Sequence, residues 1–247
     1  MMQAAMLMAI MGTGLSGALA QTSFTPGNLA ILVAASATAN NTTASVVEIN
    51  KTTAGQSAIQ TISIDGNQIR GSGSATSSLY AGNSNDGSLF CFTGHNSNST
   101  GVNANTLTAR AVVVLDNSGT VSLATTYTGS SGKQTRCATS LNNSNWFIGE
   151  QGGFYTNSAT SASPSGNVRG VKALGGTVYA QTSTSALGTI SAPSGGTYTA
   201  LTWSATPSTT SLQDFYLVSS AGNSTYDVLY LLYAHRPLPG PLPSTRW

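Results

Sequence analysis

Charge is scarce in this sequence: Asp, Glu, Lys and Arg together make up 6% of the 247 residues, against about 25% in an average soluble domain. The net charge is only +2, so there is no basic field to draw in nucleic acid and no acidic tail. Histidine is as rare, with His95 and His235 alone, and no Cys-x-x-Cys or His-x-x-x-His spacing offers a metal site. Asp65, Asp86, Asp116, Asp214 and Asp227 each stand singly beside a turn or strand end, without the acidic density of a calcium loop. The expectation is a chain without metal or cofactor. Helical periodicity is missing as well, since no window beyond the first twenty residues repeats apolar residues at i, i+3, i+4 and i+7 over three turns.

What is present is Ser, Thr, Asn and Gly, which solvate a surface through neutral hydrogen bonds and favour strands and turns. Apolar residues still make up 40% of the chain, gathered in short dense runs, which argues against disorder. The first twenty residues form a different material. Met2 to Ala20 carry no charge and end in Ala18-Leu19-Ala20. Small residues three and one before a junction suit a signal peptidase, so residues 1–20 are expected to be a cleaved leader and the rest extracellular. Gly12-x-Gly14-x-x-Gly17 matches a dinucleotide fingerprint as a string, but it lies within that leader. No later segment has the length to span a membrane as a helix. Six Asn-x-Ser/Thr triplets, at Asn40, Asn41, Asn50, Asn98, Asn142 and Asn223, are candidate glycosylation sites in surface loops.

Short strand-like runs recur along the mature chain, each bounded by Gly, Asn, Ser or Pro. Leu29, Ile31 and Val33 alternate. Val46 to Ile49, Ile62 to Ile64, Leu89 to Phe92, Ala111 to Leu115, Trp146 to Ile148, Thr177 to Tyr179, Phe215 to Val218 and Val228 to Tyr233 follow. Asp116-Asn117-Ser118-Gly119 between two runs predicts a hairpin turn, because Asn and Gly tolerate positive φ. Four runs share a plan of polar turn followed by an aromatic-bearing strand, anchored at Phe90, Phe147, Tyr179 and Tyr230. A four-stranded propeller blade takes about 40–50 residues, and the anchors lie 57, 32 and 51 residues apart, the middle gap being short for a blade. The fold class is all-β, with antiparallel four-stranded propeller-like blades as the first architecture and a β-sandwich as the alternative.

Phe24-Thr25-Pro26-Gly27-Asn28, after a leader and before an alternating strand, resembles the start of a group of secreted, largely uncharacterised β-propeller proteins. Ser84 to Gly87, Arg110 to Val113 with Gly119 to Val121, Trp146 to Gly153, Arg169 to Val171, and Asp214 to Tyr216 leading to Tyr230 are similar to that family in the same order. The resemblance covers residues 24–233 and implies secretion and four blades with part of a fifth, but no catalytic residues. The domain expectation is therefore a leader over 1–20, a propeller-like domain over 21–233 and an irregular tail over 234–247. Pro237, Pro239, Pro241 and Pro243 keep that tail out of any sheet, whereas the family continues there with further strands. The family's register also puts Cys91 on the innermost strand and Cys137 on the outermost strand of one blade. Three strand spacings then separate them by about 14 Å, beyond bridging distance, so both are expected to be free thiols.

Catalytic constellations are thin. Gly129 to Lys133 resembles a phosphate loop only faintly, with Tyr127 where the first Gly belongs and Gln134 where Ser or Thr must stand. Nucleophilic catalysis needs a base and an orienting group that two histidines barely supply. Glycoside hydrolysis needs two carboxylates, for which Glu150 and Asp214 are the nominees. Binding is the better-supported class. Trp203, Trp146, Tyr127, Tyr155 and Tyr198 would offer flat ring faces, and Asn, Ser and Thr would supply hydrogen bonds suited to neutral ligands. The expected function is a secreted, non-catalytic binding or scaffold protein with a carbohydrate or an extracellular protein as partner. A polysaccharide-active hydrolase and a purely structural surface or matrix protein are the alternatives.

Overall fold

The computed structural model describes residues 23–64, 68–75, 77–182, 186–202, 212–220 and 226–233. Residues 1–20, expected to be a leader, and Asp65, Trp203, Asn223, His235 and the tail from 234 onward lie outside the described residues. The chain is all-β, 49% strand and 2% helical, and every strand pairing is antiparallel. Among the described residues no helix is long and apolar enough to cross a membrane.

Among the described residues there are five sheets. The first joins β1 (Leu29–Ala34), β3 (Ala44–Ile49) and β4 (Gln60–Ser63). The second runs from β2 (Asn41–Thr42) through β5 (Ile69–Ser72), β7 (Phe90–Asn96) and β8 (Ala109–Leu115) to β9 (Val121–Thr128), with β6 (Gly82–Asn83) also paired to β7. The third is β10 (Thr135–Ser140), β11 (Trp146–Glu150) and β12 (Gly153–Tyr155). The fourth is a four-stranded meander of β13 (Gly170–Leu174), β14 (Thr177–Gln181), β15 (Leu187–Ile190) and β16 (Tyr198–Ala200). The fifth is the hairpin of β17 (Leu212–Val218) and β18 (Val228–Tyr233).

The apolar runs explain why the sheets stack. Successive side chains of a strand point to opposite faces, so an unbroken run serves two cores at once. On β8, Ala111, Val113 and Leu115 join Val46, Ile62, Ile69 and Phe92 between the first and second sheets. Val112 and Val114 turn the other way and meet Ala138, Trp146, Ile148 and Tyr155 of the third sheet. The third sheet repeats the device. Cys137, Phe147 and Phe154 leave that interface and pack on Val171, Ala173, Val178 and Ala180 of the fourth. The fourth in turn packs Leu187, Tyr179 and Leu174 against Phe215, Leu217, Leu229 and Leu231 of the fifth. Four cores between five successive sheets result.

Among the described residues, the first and fifth sheets are covered on one side only. Leu29, Ile31 and Val33 of β1 are exposed, as are Tyr216, Tyr230 and Leu232 of the last hairpin.

Local chemistry fixes the beginning of this stack. Phe24 to Asn28 forms a turn, with the Asn28 amide donating to the Thr25 carbonyl (3.1 Å) and Gly27 at φ +89°. The turn is anchored on the buried Glu48. The Glu48 carboxylate accepts from the Thr25 amide (2.8 Å), Asn28 Nδ2 (2.6 Å) and Gln60 Nε2 (2.6 Å). The expected hairpin turn is also present between β8 and β9, where Asp116 Oδ1 accepts from the Ser118 and Thr120 amides and Gly119 takes φ +80°.

Two expectations are displaced. The repeat anchors are not equivalent: Phe147, Tyr179 and Tyr230 each sit on the second strand of their sheet, whereas Phe90 sits on β7, the third strand along the β2-β5-β7-β8-β9 path. An aromatic after a polar turn marks any buried hairpin strand, which is why the pattern matched across unlike positions. The cysteines do not share one sheet either. Cys91 lies on β7 and faces the third sheet, while Cys137 lies on β10, which pairs with β11 rather than β9, and faces the fourth. Both are buried and unbridged, and burial raises each thiol pKa to about 12.

Candidate functional site

Strands from the first, second, fourth and fifth sheets converge on one groove. On β13, Val171 and Ala173 enter the core, and alternation sends Lys172 out on the opposite side. Its ammonium lies 3.0 Å from Asp214 Oδ2 and sits over the rings of Phe215 (5.6 Å) and Tyr216 (5.8 Å), close enough for cation–π attraction. On β17 the period of two puts Asp214 and Tyr216 on one face, with Phe215 and Leu217 facing inward. Across the hairpin Tyr216 pairs with Tyr230, and Asp214 with Leu232. Tyr216, Tyr230 and Leu232 are 49%, 62% and 63% exposed.

The groove has two adjoining recesses that share Lys172 and Tyr216 as walls. The first, about 350 Å³, adds Ala30, Asn83, Asn85 and Tyr226. The second, about 330 Å³, adds Asp214, Tyr230 and Leu232. Both lie near the lower end of the roughly 300–1,000 Å³ usual for small-molecule sites. The rim is tied down at two points. Asn85 Oδ1 accepts from the Gly176 amide at 2.8 Å. The Tyr226 ring rests on Gly175, whose φ of +58° and lack of a side chain allow it: a Cβ there would lie 2.3 Å from Tyr226 Cε2.

A second charged cluster is wholly interior. Arg70, His95, Arg110 and Tyr127 are successive cross-strand partners on β5, β7, β8 and β9, and all four are buried. Arg110 Nη1 donates to Glu150 Oε2 at 2.7 Å, and its Nη2 donates to the Ser130 and Lys133 carbonyls (2.7 and 2.8 Å). The Tyr127 hydroxyl donates to Glu150 Oε1 at 2.6 Å. Burial raises the Glu150 pKa against the pull of Arg110 and the Tyr127 hydrogen bond. Burial, then the Arg110 charge, lowers His95 to about 3, so the imidazole is neutral. Among the described residues no group of three or more His, Cys, Asp or Glu side chains is placed to hold a metal ion.

The nominated residues separate accordingly. Trp146 and Tyr155 pack with Tyr127 between the second and third sheets and have no open ring face for a ligand. A strand aromatic is as good a core residue as a binding one, and the core claimed them. Tyr198 is half-buried on β16 and lies against Gly188, where a Cβ would meet its ring at 2.7 Å. Glu150 has no solvent access and both carboxylate oxygens engaged, whereas Asp214 lines the groove. Of the glycosylation candidates, Asn40, Asn98 and Asn142 are exposed and Asn50 is half-buried. Asn41 is buried on β2, with its side-chain amide donating to the Ser97 and Ser99 carbonyls. It is poorly placed to be modified.

Tyr216 and Tyr230 are not among the sequence nominees because their strand runs read as core, and Lys172 because no run is read over β13. The available signal was alternation: Asp214-x-Tyr216 and Tyr230-x-Leu232 place a polar and an aromatic side chain on one face. Comparison with known proteins finds no matching family model, no similar curated protein and no similar solved structure.

Proposed function

We propose that this chain is a secreted, non-catalytic binding protein of propeller-like architecture whose ligand occupies the groove around Lys172 and Tyr216. The observation that carries the reading is the pair of adjoining recesses walled by exposed tyrosines and a single ion pair. Ligand sites combine apolar ring surface with a few convergent polar groups, and the groove has both. Its carboxylate content argues against hydrolysis. Among the described residues Asp214 is the one acid lining either recess, and a glycosidase needs two flanking the scissile bond.

Several observations favour the propeller over a sandwich. A sandwich buries one core between two sheets, whereas here successive sheets stack through four separate cores. Strands from both terminal sheets, β1 and β17, line the first recess, where a radial arrangement would bring first and last blades together. The leader and the ordered resemblance over residues 24–233 support secretion. Purified chain passed over cell-wall polysaccharide and extracellular-protein columns tests the function: retention abolished by Tyr216→Ala supports it, and retention by neither column overturns it.

A structural role in assembly is the second reading, favoured by the exposed row of Leu29, Ile31 and Val33 on the edge strand β1. Unpaired edges of this kind invite association. Concentration-dependent ordered assembly without ligand, abolished by Ile31→Lys, would favour it.

A further inference from the structure

We infer that the groove binds a neutral, linear oligosaccharide of at least two sugar units, one in each recess, with Lys172 and Tyr216 at the junction. The inference rests on the proposed binding role of the groove and specifies what fills it.

Charge decides against acidic ligands. Lys172 is the cation that lines the recesses, and Asp214 lies 3.0 Å from it. The pair has no net charge, so a uronate or sulfated sugar would gain little from Lys172 and would meet the Asp214 carboxylate. A neutral sugar fits that pair better. The ammonium donates to one hydroxyl and the carboxylate accepts from another, and charge-assisted hydrogen bonds of this kind are the stronger ones.

The rings supply the other half of recognition. Tyr226 lines the first recess, Tyr230 the second, and Tyr216 both. Tyrosine offers a rigid apolar face with a polar tip, which suits the C–H faces and hydroxyl edges of pyranose rings. The Asn83 and Asn85 side chains bring amide chemistry to the first recess, while Leu232 makes the second more apolar. The two subsites are therefore unlike, and a chain of sugars would have a preferred direction across them.

A polypeptide is the poorer fit. Extended peptides gain affinity by adding a strand to a free sheet edge, whereas Tyr216 and Tyr230, the rings that line the second recess, are cross-strand partners on the face of the β17–β18 hairpin.

Calorimetry on the full secreted chain tests the inference. The probes are neutral gluco-, manno- and xylo-oligosaccharides of one to six units, uronate oligomers of matched length, and a mixture of unstructured peptides. At least one neutral series should bind, tightening tenfold or more between one unit and three or four and then levelling off. Tyr216→Ala should weaken binding at every length by tenfold or more, with Tyr216→Trp restoring it. Tyr230→Ala should weaken only the longer ligands, down to the affinity of the single unit. Uronates binding more tightly than neutral sugars, or affinity independent of length, would overturn the inference. Peptide binding lost in Tyr216→Ala would overturn the sugar and leave the groove standing. Binding of any probe that survives Tyr216→Ala at full strength would overturn both.

Discussion

Among the described residues two ion pairs look alike as chemistry and differ in everything around them. Arg110 and Glu150 have no solvent exposure and a separation of 2.7 Å, while Lys172 and Asp214 are 15% and 40% exposed at 3.0 Å. The first sits between two sheets, with Arg110 Nη2 on two backbone carbonyls and a tyrosine on the second Glu150 oxygen. The second stands on a groove wall, partly open to solvent. A buried charge is tolerable only when its partners are all in place, so the interior pair belongs to the framework. An exposed pair contributes little to stability and stays free to exchange partners with a ligand. Carboxylates in the same sequence thus divide by burial between the framework and the groove wall.

The sharpest break in that comparison is at the interior pair. Glu150→Ala leaves Arg110 charged and unpaired inside the protein, which costs about 3–5 kcal/mol and lowers Tm by about 10 °C. Thermal unfolding followed by circular dichroism measures it. An unchanged Tm would mean that the pair is solvated.

Glu48 gives an intermediate effect with a pH signature. Burial would raise its pKa, but hydrogen bonds from Asn28, Gln60 and Thr25 outweigh burial and hold it below 4.5. Its stabilisation is therefore full above the ordinary carboxylate value and is lost as pH falls through the lowered folded value. Glu48→Gln should lower stability at pH 7 by about 1–3 kcal/mol and make the acid limb of the stability profile shallower. Urea unfolding between pH 7 and pH 3 would show it.

The exposed pair completes the series. Lys172→Gln with Asp214→Asn should change stability by about 0.2–1 kcal/mol, a small shift in urea midpoint, while weakening ligand binding severalfold. Smallest of all in stability is Tyr216→Ala, within about 0.5 kcal/mol, although its effect on binding is the largest of the four.

Much of the framework was legible because burial on both faces leaves an unbroken apolar run. Ala111 to Leu115 and Trp146 to Ile148 became β8 and β11, and Asp116 to Gly119 became the turn between β8 and β9. Strands built from small polar residues were not legible. β10, Thr-Arg-Cys-Ala-Thr-Ser, carries few apolar side chains yet opens the third sheet. Missing β10 as a strand of the third sheet is also what misplaced Cys137.

The site was harder still, because it is assembled by convergence. Lys172 and Asp214 are far apart in sequence, and no local pattern announces their meeting. Aromatic content pointed to Trp146 and Tyr155, which the stacking of sheets buried, and left Tyr216 and Tyr230 on the last hairpin, with no sixth sheet to cover them among the described residues.

One measurement bears most directly on the division between framework and groove: calorimetric titration of the tightest-binding neutral oligosaccharide into wild-type and Tyr216→Ala chains of matched Tm. A tenfold or greater loss of affinity with Tm unchanged within about 2 °C is the predicted result. Equal affinity in the two chains would contradict it and place recognition elsewhere on the molecule.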